Sequence, residues 1–506
     1  MSPVDAESTV HIHTLHADLT ERLVALRNDP GPVDESRTRV ETAMADGEAH
    51  YGINTGFGAL AQKQVPREDL ETLQRNLVFS HAVGVGDLVP KAVSRLILRL
   101  KIHALGLGHS GVSRETFDRL LLFAERDLIP AIPSRGSVGA SGDLAPLAHL
   151  ALPLVGEGEF WTDDGSDVRS AGDVLDEHNL TPITLHPKDG LSLINGTQQM
   201  SAYGAHVLHE AHRLVKIADL LAAMSLEALQ GSIQPFDERV HEVRPHPGAQ
   251  QVAANVRTLL TDSEILESHR NCGKVQDPYC LRCAPQVHGA SRDALRHATN
   301  MVEREINSVT DNPLVFEDGD VISAGNFHGQ PLALALDYAG IALAELASIS
   351  ERRIYLLLGG HDGLPELLME DTGLNSGYMM PQYTAAALVS ENKSLAHPAS
   401  VDSIPTSLGQ EDHVSMGSIG AVQLLDILEN VERVFAIELL TAAQALDYRL
   451  PLRPGRGVDI AHETVRRAIP HREEDYLVED DIDESLAFVR GDDLLAPVAD
   501  ELEALR

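Results

Sequence analysis

Residues 198–230, 331–358 and 416–449 each keep a helical pattern for more than about 25 residues, with no proline beyond the first position. Ordinary globular helices are shorter. These three are also apolar around most of their circumference, so a single wet face would leave too much apolar surface in water. A chain with three such segments is constrained to a helical bundle in which the long helices bury one another, and association of copies would bury them further. With 506 residues and 43% apolar composition the core can be large. Aromatic residues make up only 4%, which favours aliphatic helix packing over a β-sandwich. The expected fold is mainly α, with a loop-bearing N-terminal lobe over residues 1–197 and a bundle of very long helices over 198–506.

The first half has shorter elements. Residues 15–28, 92–106 and 114–127 repeat apolar side chains at helical spacing. Asp29-Pro30 stops the first, and Pro130 and Pro133 follow the third. Residues 155–190 are rich in Gly, Asp and Pro and read as short strands or loops at the surface.

The formal charge of −36 argues against nucleic acid as a partner, which would need phosphate-neutralising cations, and against an anionic membrane surface. The acids are spread along the chain, and Lys is scarce, with seven against thirty-three Arg. That pattern suits a halophilic protein, because dense carboxylates hold water and keep a surface soluble when salt screens their repulsion. Cys272, Cys280 and Cys283 are the only cysteines, an odd number that does not suit a disulfide framework. Cys280 and Cys283 form a lone CxxC with no second ligand pair, so no metal site is expected. The start MSPVDAEST lacks the apolar core of a signal peptide, and no run of about 20 uncharged apolar residues is present to span a bilayer. The expected location is the cytoplasm.

Residues 136–150, GSVGASGDLAPLAHL, concentrate small residues in one loop. Gly136, Gly139 and Gly142 exceed what a turn needs. A phosphate cradle is a poor reading, since a P-loop ends in Gly-Lys-Ser/Thr and Asp143 stands where a cation would help. Further unusual loop stretches lie between the helices. YGINTGFG (51–58) carries Tyr51, and LSLINGTQ (191–198) carries Asn195. VQDPYCLRCAPQVHG (275–289) carries Gln276, Tyr279 and Arg282, and SAGNFHGQP (323–331) carries Asn326, Phe327 and His328. ENKSLAHPASVDS (391–403) and TSLGQEDHVSMG (406–417) lead to Glu411. Singly, each has an ordinary reading. Tyr51 could be a half-buried aromatic, Arg282 a surface cation, Asn195 and Glu411 polar groups at helix N-termini, and His81 one of 24 histidines.

Together, and in this order, these stretches resemble the aromatic amino-acid ammonia-lyase family, from about Tyr51 to Gln444. GSVGASGDLAPLAHL is similar to the family's signature, and YGINTGFG, NGTQ, TDNPL (310–314), GNFHG and NKSLAHPASVDS support it. The resemblance implies the fumarase-like helical fold and a homotetramer whose active sites draw on more than one subunit. It implies that Ala140-Ser141-Gly142 cyclises into a methylidene-imidazolone. The Gly142 nitrogen attacks the Ala140 carbonyl, and Ser141 loses water to leave an electron-poor methylidene carbon. The residue types suit that chemistry, because glycine has no Cβ to block the approach. No pyridoxal phosphate is expected, since Lys393 would be an isolated Schiff-base candidate.

By the same resemblance Tyr51 is the base for the β-proton, and Arg282 clamps the substrate carboxylate with help from Gln276. Asn195 and Tyr279 orient the electrophile and bind the amine or carboxylate, and Phe327 keeps water out. The residues alone do not separate Tyr51 from Tyr279 as base. Ser80-His81 and Glu411 stand where phenylalanine- and tyrosine-type enzymes usually carry other residues. A buried Glu and His facing a benzene ring would be unpaired, at about 1–3 kcal/mol, whereas an imidazole offers two nitrogens. The expected substrate is therefore L-histidine, giving trans-urocanate and ammonia. The rivals are a phenylalanine or tyrosine lyase, an aminomutase, and an inactive helical scaffold.

Overall fold

The computed structural model describes residues 9–45, 50–56, 63–270, 273–502 and 505. It is mainly helical, with three two-stranded antiparallel ribbons: Val85–Leu88 with Pro133–Arg135, Glu159–Trp161 with Val168–Ser170, and Leu314–Val315 with Val321–Ile322. The chain forms two compact units. One comprises residues 1–209, 298–337 and 398–422, and the other 210–297, 338–397 and 423–506.

In the first unit the helices Leu15–Asn28, Lys91–Leu105 and Arg114–Glu125 pack together. Their apolar stripes supply the core through Leu15, Leu19, Ile97, Leu100, Phe117 and Leu121. Ser113 caps Arg114–Glu125, its hydroxyl accepting from the Thr116 N–H. Behind them Leu70–His81, Leu144–Ala151 and Asp189–Ile194 pack on one another. Residues 159–170 form the expected short ribbon, anchored where Phe160 meets Phe123 edge-to-face at 5.1 Å. The end of that stretch departs from expectation, because Lys188 and Asp189 are wholly buried rather than at the surface. Asp189 accepts from the Ser113 and His186 N–H groups, and Lys188 pairs with Asp311 at 2.8 Å, so both charges are satisfied inside.

The long helices are Gln198–Ala228, Gln330–Leu357 and Gly417–Asp447, within a few residues of the expected bounds. A fourth, Ala284–Ile306, and a short helix, Tyr279–Arg282, occupy a stretch expected to be loop as far as 289. The 284–306 segment is amphipathic and charged, so it lacks the apolar signature of the other three. Leu191–Ile194 and residues 391–395 are also helical rather than loop. Gln330–Leu357 is long and apolar enough to cross a bilayer, with an eighteen-residue window of mean hydropathy 1.6, but 61% of that window is buried within the protein.

In the second unit the helices are keyed by a buried polar network. Arg353 and Glu438, both fully buried, pair through two bonds of 2.5 and 2.8 Å. Ser225 and Ser350 donate to the same carboxylate. His288 bridges Arg353 to Asp219, which also takes Arg292 and Asn255. Such a network adds little net stability over apolar packing, but removing any one member would leave a buried charge or polar group unpaired.

Candidate active site

The loop 136–143 connects the strand Pro133–Arg135 to the helix Leu144–Ala151. Gly142 has φ +77°, and a Cβ built on it would lie 2.1 Å from the Gly196 carbonyl oxygen. Only glycine fits there. Gly142 bridges to Gly196, and the Asp143 N–H donates to Gly196 O at 2.7 Å. Asp143 begins the 144–151 helix but does not cap it. Its carboxylate accepts from the N–H groups of Gln199 and Met200, in the first turn of Gln198–Ala228, and from the Ser418 hydroxyl at 2.7 Å. The acid thus sits at the positive end of a different helix. Burial still raises its pKa to about 6, against those three donors and Lys101, all of which favour the anion.

Two further segments hold the loop. Met416 N–H donates to Val138 O, and Ser415 Oγ donates to Gly139 O. Ala140 packs on Val414 and Met416. The Ser141 hydroxyl donates to Glu411 Oε1 at 2.8 Å, and the Ser141 carbonyl accepts from Asn195 Nδ2 at 3.1 Å. Ser137 Oγ donates to Gly142 O at 3.3 Å. Glu411 is oriented by Thr406, whose hydroxyl donates to Oε2 at 2.7 Å and whose N–H donates to the Glu411 carbonyl.

His81 ends the helix Leu70–His81. Its Nδ1 lies 2.8 Å from the Leu77 carbonyl, which can only accept, so Nδ1 carries the proton and neutral Nε2 is an acceptor. Burial lowers the His81 pKa, opposed by that backbone bond and by the charge of Glu411. Ser141, Asn195, Glu411 and His81 therefore form one electrostatically connected group. Tyr51 is half-buried in the turn 51–54, beside Gly52, where a Cβ would meet Leu191 of the helix that leads to Asn195. Phe57 and Gly58 of the same motif lie outside the described residues. Phe327 is half-buried in a turn tied to the Glu411 segment by His328 Nε2–H donating to His413 O at 3.1 Å.

Gln276, Tyr279 and Arg282 belong to the second unit. Gln276 is exposed and Tyr279 is 70% exposed. Arg282 Nε donates to Asp277 O at 2.9 Å, and the guanidinium stacks 4.6 Å from the Tyr279 ring centre. Asp277 takes the Ser232 N–H at 2.6 Å, and Lys274 binds the carbonyls of Leu229 and Gln230. The segment is fixed while Gln276 and Tyr279 face solvent. Burial pushes the Cys280 thiol up to about 11, so it is held as a neutral thiol. Among the described residues no three His, Cys, Asp or Glu side chains gather as a metal site, and Cys272 lies outside them.

Three residues around the loop were not singled out from sequence: Asp143 as a cap, Ser418, and Lys101. Lys101 had a readable signal. It lies on a face flanked by Ile97, Leu98, Ala104 and Leu105, where a charge is out of place.

The family model for aromatic amino acid lyases matches residues 20–467. The chain belongs to that family. A histidine ammonia-lyase from Anaeromyxobacter sp. (strain K) is 53% identical over 460 residues, covering 89% of this chain and 91% of that protein. The crystal structure of histidine ammonia-lyase from Trypanosoma cruzi superimposes with TM-score 0.88 at 40% identity, over 99% of this chain and 94% of that one. A tyrosine aminomutase from Streptomyces globisporus gives TM-score 0.87 at 35% identity, over 98% of each chain. In this aromatic amino acid lyase the loop geometry fits the imidazolone that the resemblance implies. The Gly142 slot excludes a Cβ, the Ser141 hydroxyl faces a carboxylate, and the Ser141 carbonyl is held by an amide donor.

Proposed function

We propose that the protein is a histidine ammonia-lyase, which removes ammonia from L-histidine without oxidation to give trans-urocanate. The observation that carries this reading is the carboxylate of Glu411, set 2.8 Å from Ser141 Oγ with His81 within its field. A charged acceptor and an imidazole at the reacting position suit a substrate ring with nitrogens to bind and penalise a bare phenyl ring. The relatives named histidine ammonia-lyase support it.

The group formed from Ala140-Ser141-Gly142 supplies an electron-poor carbon that makes the substrate amine a better leaving group, with no pyridoxal phosphate or metal. The chain's own residues do the rest. Tyr51 takes the β-proton, for which its phenol must be drawn below the ordinary pKa of about 10. Asn195 holds the Ser141 carbonyl. Arg282 binds the substrate carboxylate in a fork, with Gln276 and Tyr279 beside it. Phe327 covers the ring and keeps out water. The assembly is a homotetramer whose sites draw on more than one subunit. Exposed Tyr338, Ile341, Tyr355, Met380 and Tyr383 in the second unit are apolar surface of the kind that association covers. The free thiols of Cys280 and Cys283 suit a reducing cytoplasm.

Two measurements test this reading together. Ammonia release is assayed with histidine, tyrosine and phenylalanine, following urocanate by its ultraviolet absorbance. The peptide spanning 136–150 is weighed. Histidine turnover with a peptide lighter by two waters is expected. Turnover of tyrosine or phenylalanine alone, or a linear peptide in active enzyme, would overturn it.

The surface charge gives a separate expectation. With a net charge of −36, self-repulsion is strong in dilute buffer and screened in salt. Activity and monodispersity should rise from dilute buffer to molar potassium chloride, read by assay and light scattering. Full activity and stability in dilute buffer would remove the halophilic reading.

A further inference from the structure

Lys101 lies in the helix Lys91–Leu105 and is 2% exposed. Its ammonium donates to the Asn195 carbonyl at 2.5 Å and to Gln198 Oε1 at 3.4 Å. Neither partner is a carboxylate. Among the described residues no carboxylate lies within ion-pair distance of it, although Asp311 and Asp143 act on it from farther off. Its neighbour Lys188, equally buried, is paired directly with Asp311. Burying an ammonium without a contacting anion is costly, and a methionine or leucine would fill the space at less cost. The chain uses only seven lysines and places this one in its interior. Burial pulls its pKa down to about 7, with Asp311 and Asp143 holding it up and Lys188 pushing it down further.

What the cation touches connects it to the reactive loop. The Asn195 whose carbonyl it grips donates through Nδ2 to the Ser141 carbonyl at 3.1 Å. The next residue, Gly196, accepts from the Asp143 N–H and forms the wall against Gly142. Gln198, its second partner, donates to Thr310 Oγ1 and closes the other side of the Gly196 turn. Lys101 therefore holds the 195–198 turn from behind. The carbonyl it holds is the main-chain one of Asn195, and the group that faces the Ser141 oxygen is the side-chain amide of the same residue, so Lys101 fixes the backbone from which that side chain projects.

We propose that Lys101 is a positioning residue for the Ala140-Ser141-Gly142 electrophile: by holding the Asn195 main chain it fixes the side-chain hydrogen bond to the Ser141 carbonyl, on which ring closure and later turnover depend. This rests on the reading that the loop cyclises. Closure joins the Gly142 nitrogen to the Ala140 carbonyl carbon. The oxygen of that carbonyl leaves as one water with the hydrogens of the Gly142 and Ser141 nitrogens, and the Ser141 hydroxyl leaves as a second with the Ser141 Cα hydrogen. Lys101 contributes no atom to either step.

The test uses Lys101→Met and Lys101→Gln in the full-length protein, with the 136–150 peptide mass, thermal melting, and kcat and KM for histidine. Lys101→Met is expected to melt no lower than wild type. Its cyclised fraction should fall several-fold, and kcat per cyclised site should drop by about tenfold or more with KM nearly unchanged. Lys101→Gln, which keeps a donor for the Asn195 carbonyl, should recover part of the cyclised fraction and part of kcat. A purely structural lysine would instead lower the melting temperature and leave kcat per cyclised site intact. Wild-type cyclisation and kcat in Lys101→Met would overturn the proposal. If that variant does not fold, the same result in Lys101→Gln overturns it. A linear peptide in active wild-type enzyme would instead sink the cyclisation reading on which this rests.

Discussion

Gly142→Ala should give a folded protein with a linear loop and at least about 10³-fold less ammonia release from histidine. The added methyl meets two obstacles. The backbone at 142 has φ +77°, a region that costs a residue with a Cβ about 1–2 kcal/mol. The methyl would also lie 2.1 Å from Gly196 O and 2.6 Å from Gly196 C. Those are backbone atoms, so no rotamer change relieves the overlap. Either the 142–196 bridge opens or the loop leaves its bend. In both cases the Asp143 N–H loses Gly196 O, and Asn195 no longer faces Ser141 in register. The helices around the loop draw on apolar cores that do not include Gly142, so the far-ultraviolet spectrum should be near that of wild type. The 136–150 peptide should keep both waters. A cyclised peptide with near-normal turnover in this variant would show that the tight slot is not what directs closure.

Much of the fold was legible because its signals are local. Leu15–Asn28 is bounded as the sequence indicates, since the apolar repeat and Asp29-Pro30 are both within one stretch of chain. Lys91–Leu105 and Arg114–Glu125 shift by only one or two residues. The long helix Ala284–Ile306 was not legible, because its charged face hid the length that apolar composition revealed in the other three. At the site, the motif stretches pointed to Ser141, Asn195 and Glu411, and the structure brings these three into hydrogen-bond contact. What supports them was not legible, because it is built from distant pairs. From sequence Asp143 reads only as an acid unsuited to a phosphate cradle, yet it caps a helix beginning at Gln198. Lys188 and Asp189 look like a polar surface turn until Asp311 and Ser113 are found against them. Polar residues satisfied at long range leave no periodicity to read.

Glu411→Gln tests the substrate assignment most directly, and histidine turnover should fall by about 10²-fold or more. In the structure each carboxylate oxygen takes one hydroxyl, Ser141 on Oε1 and Thr406 on Oε2. Glutamine replaces one oxygen with an NH₂ group, so one hydroxyl must rotate away or face a donor. The negative charge that an imidazole N–H would seek is also lost, and charge-assisted hydrogen bonds are about twice as strong as neutral ones. A second consequence falls on His81. Its pKa is already lowered by burial, and Glu411 is one of the two influences opposing that, so without it His81 stays neutral to still lower pH. Two failures can be told apart by weighing the 136–150 peptide. A cyclised loop with slow histidine turnover places the loss in ring recognition. A linear loop places it in the departure of the Ser141 hydroxyl, which Glu411 faces. Near-normal kinetics on histidine with a cyclised loop would defeat the assignment of Glu411 to the substrate ring, and would return the tyrosine and phenylalanine readings to equal standing.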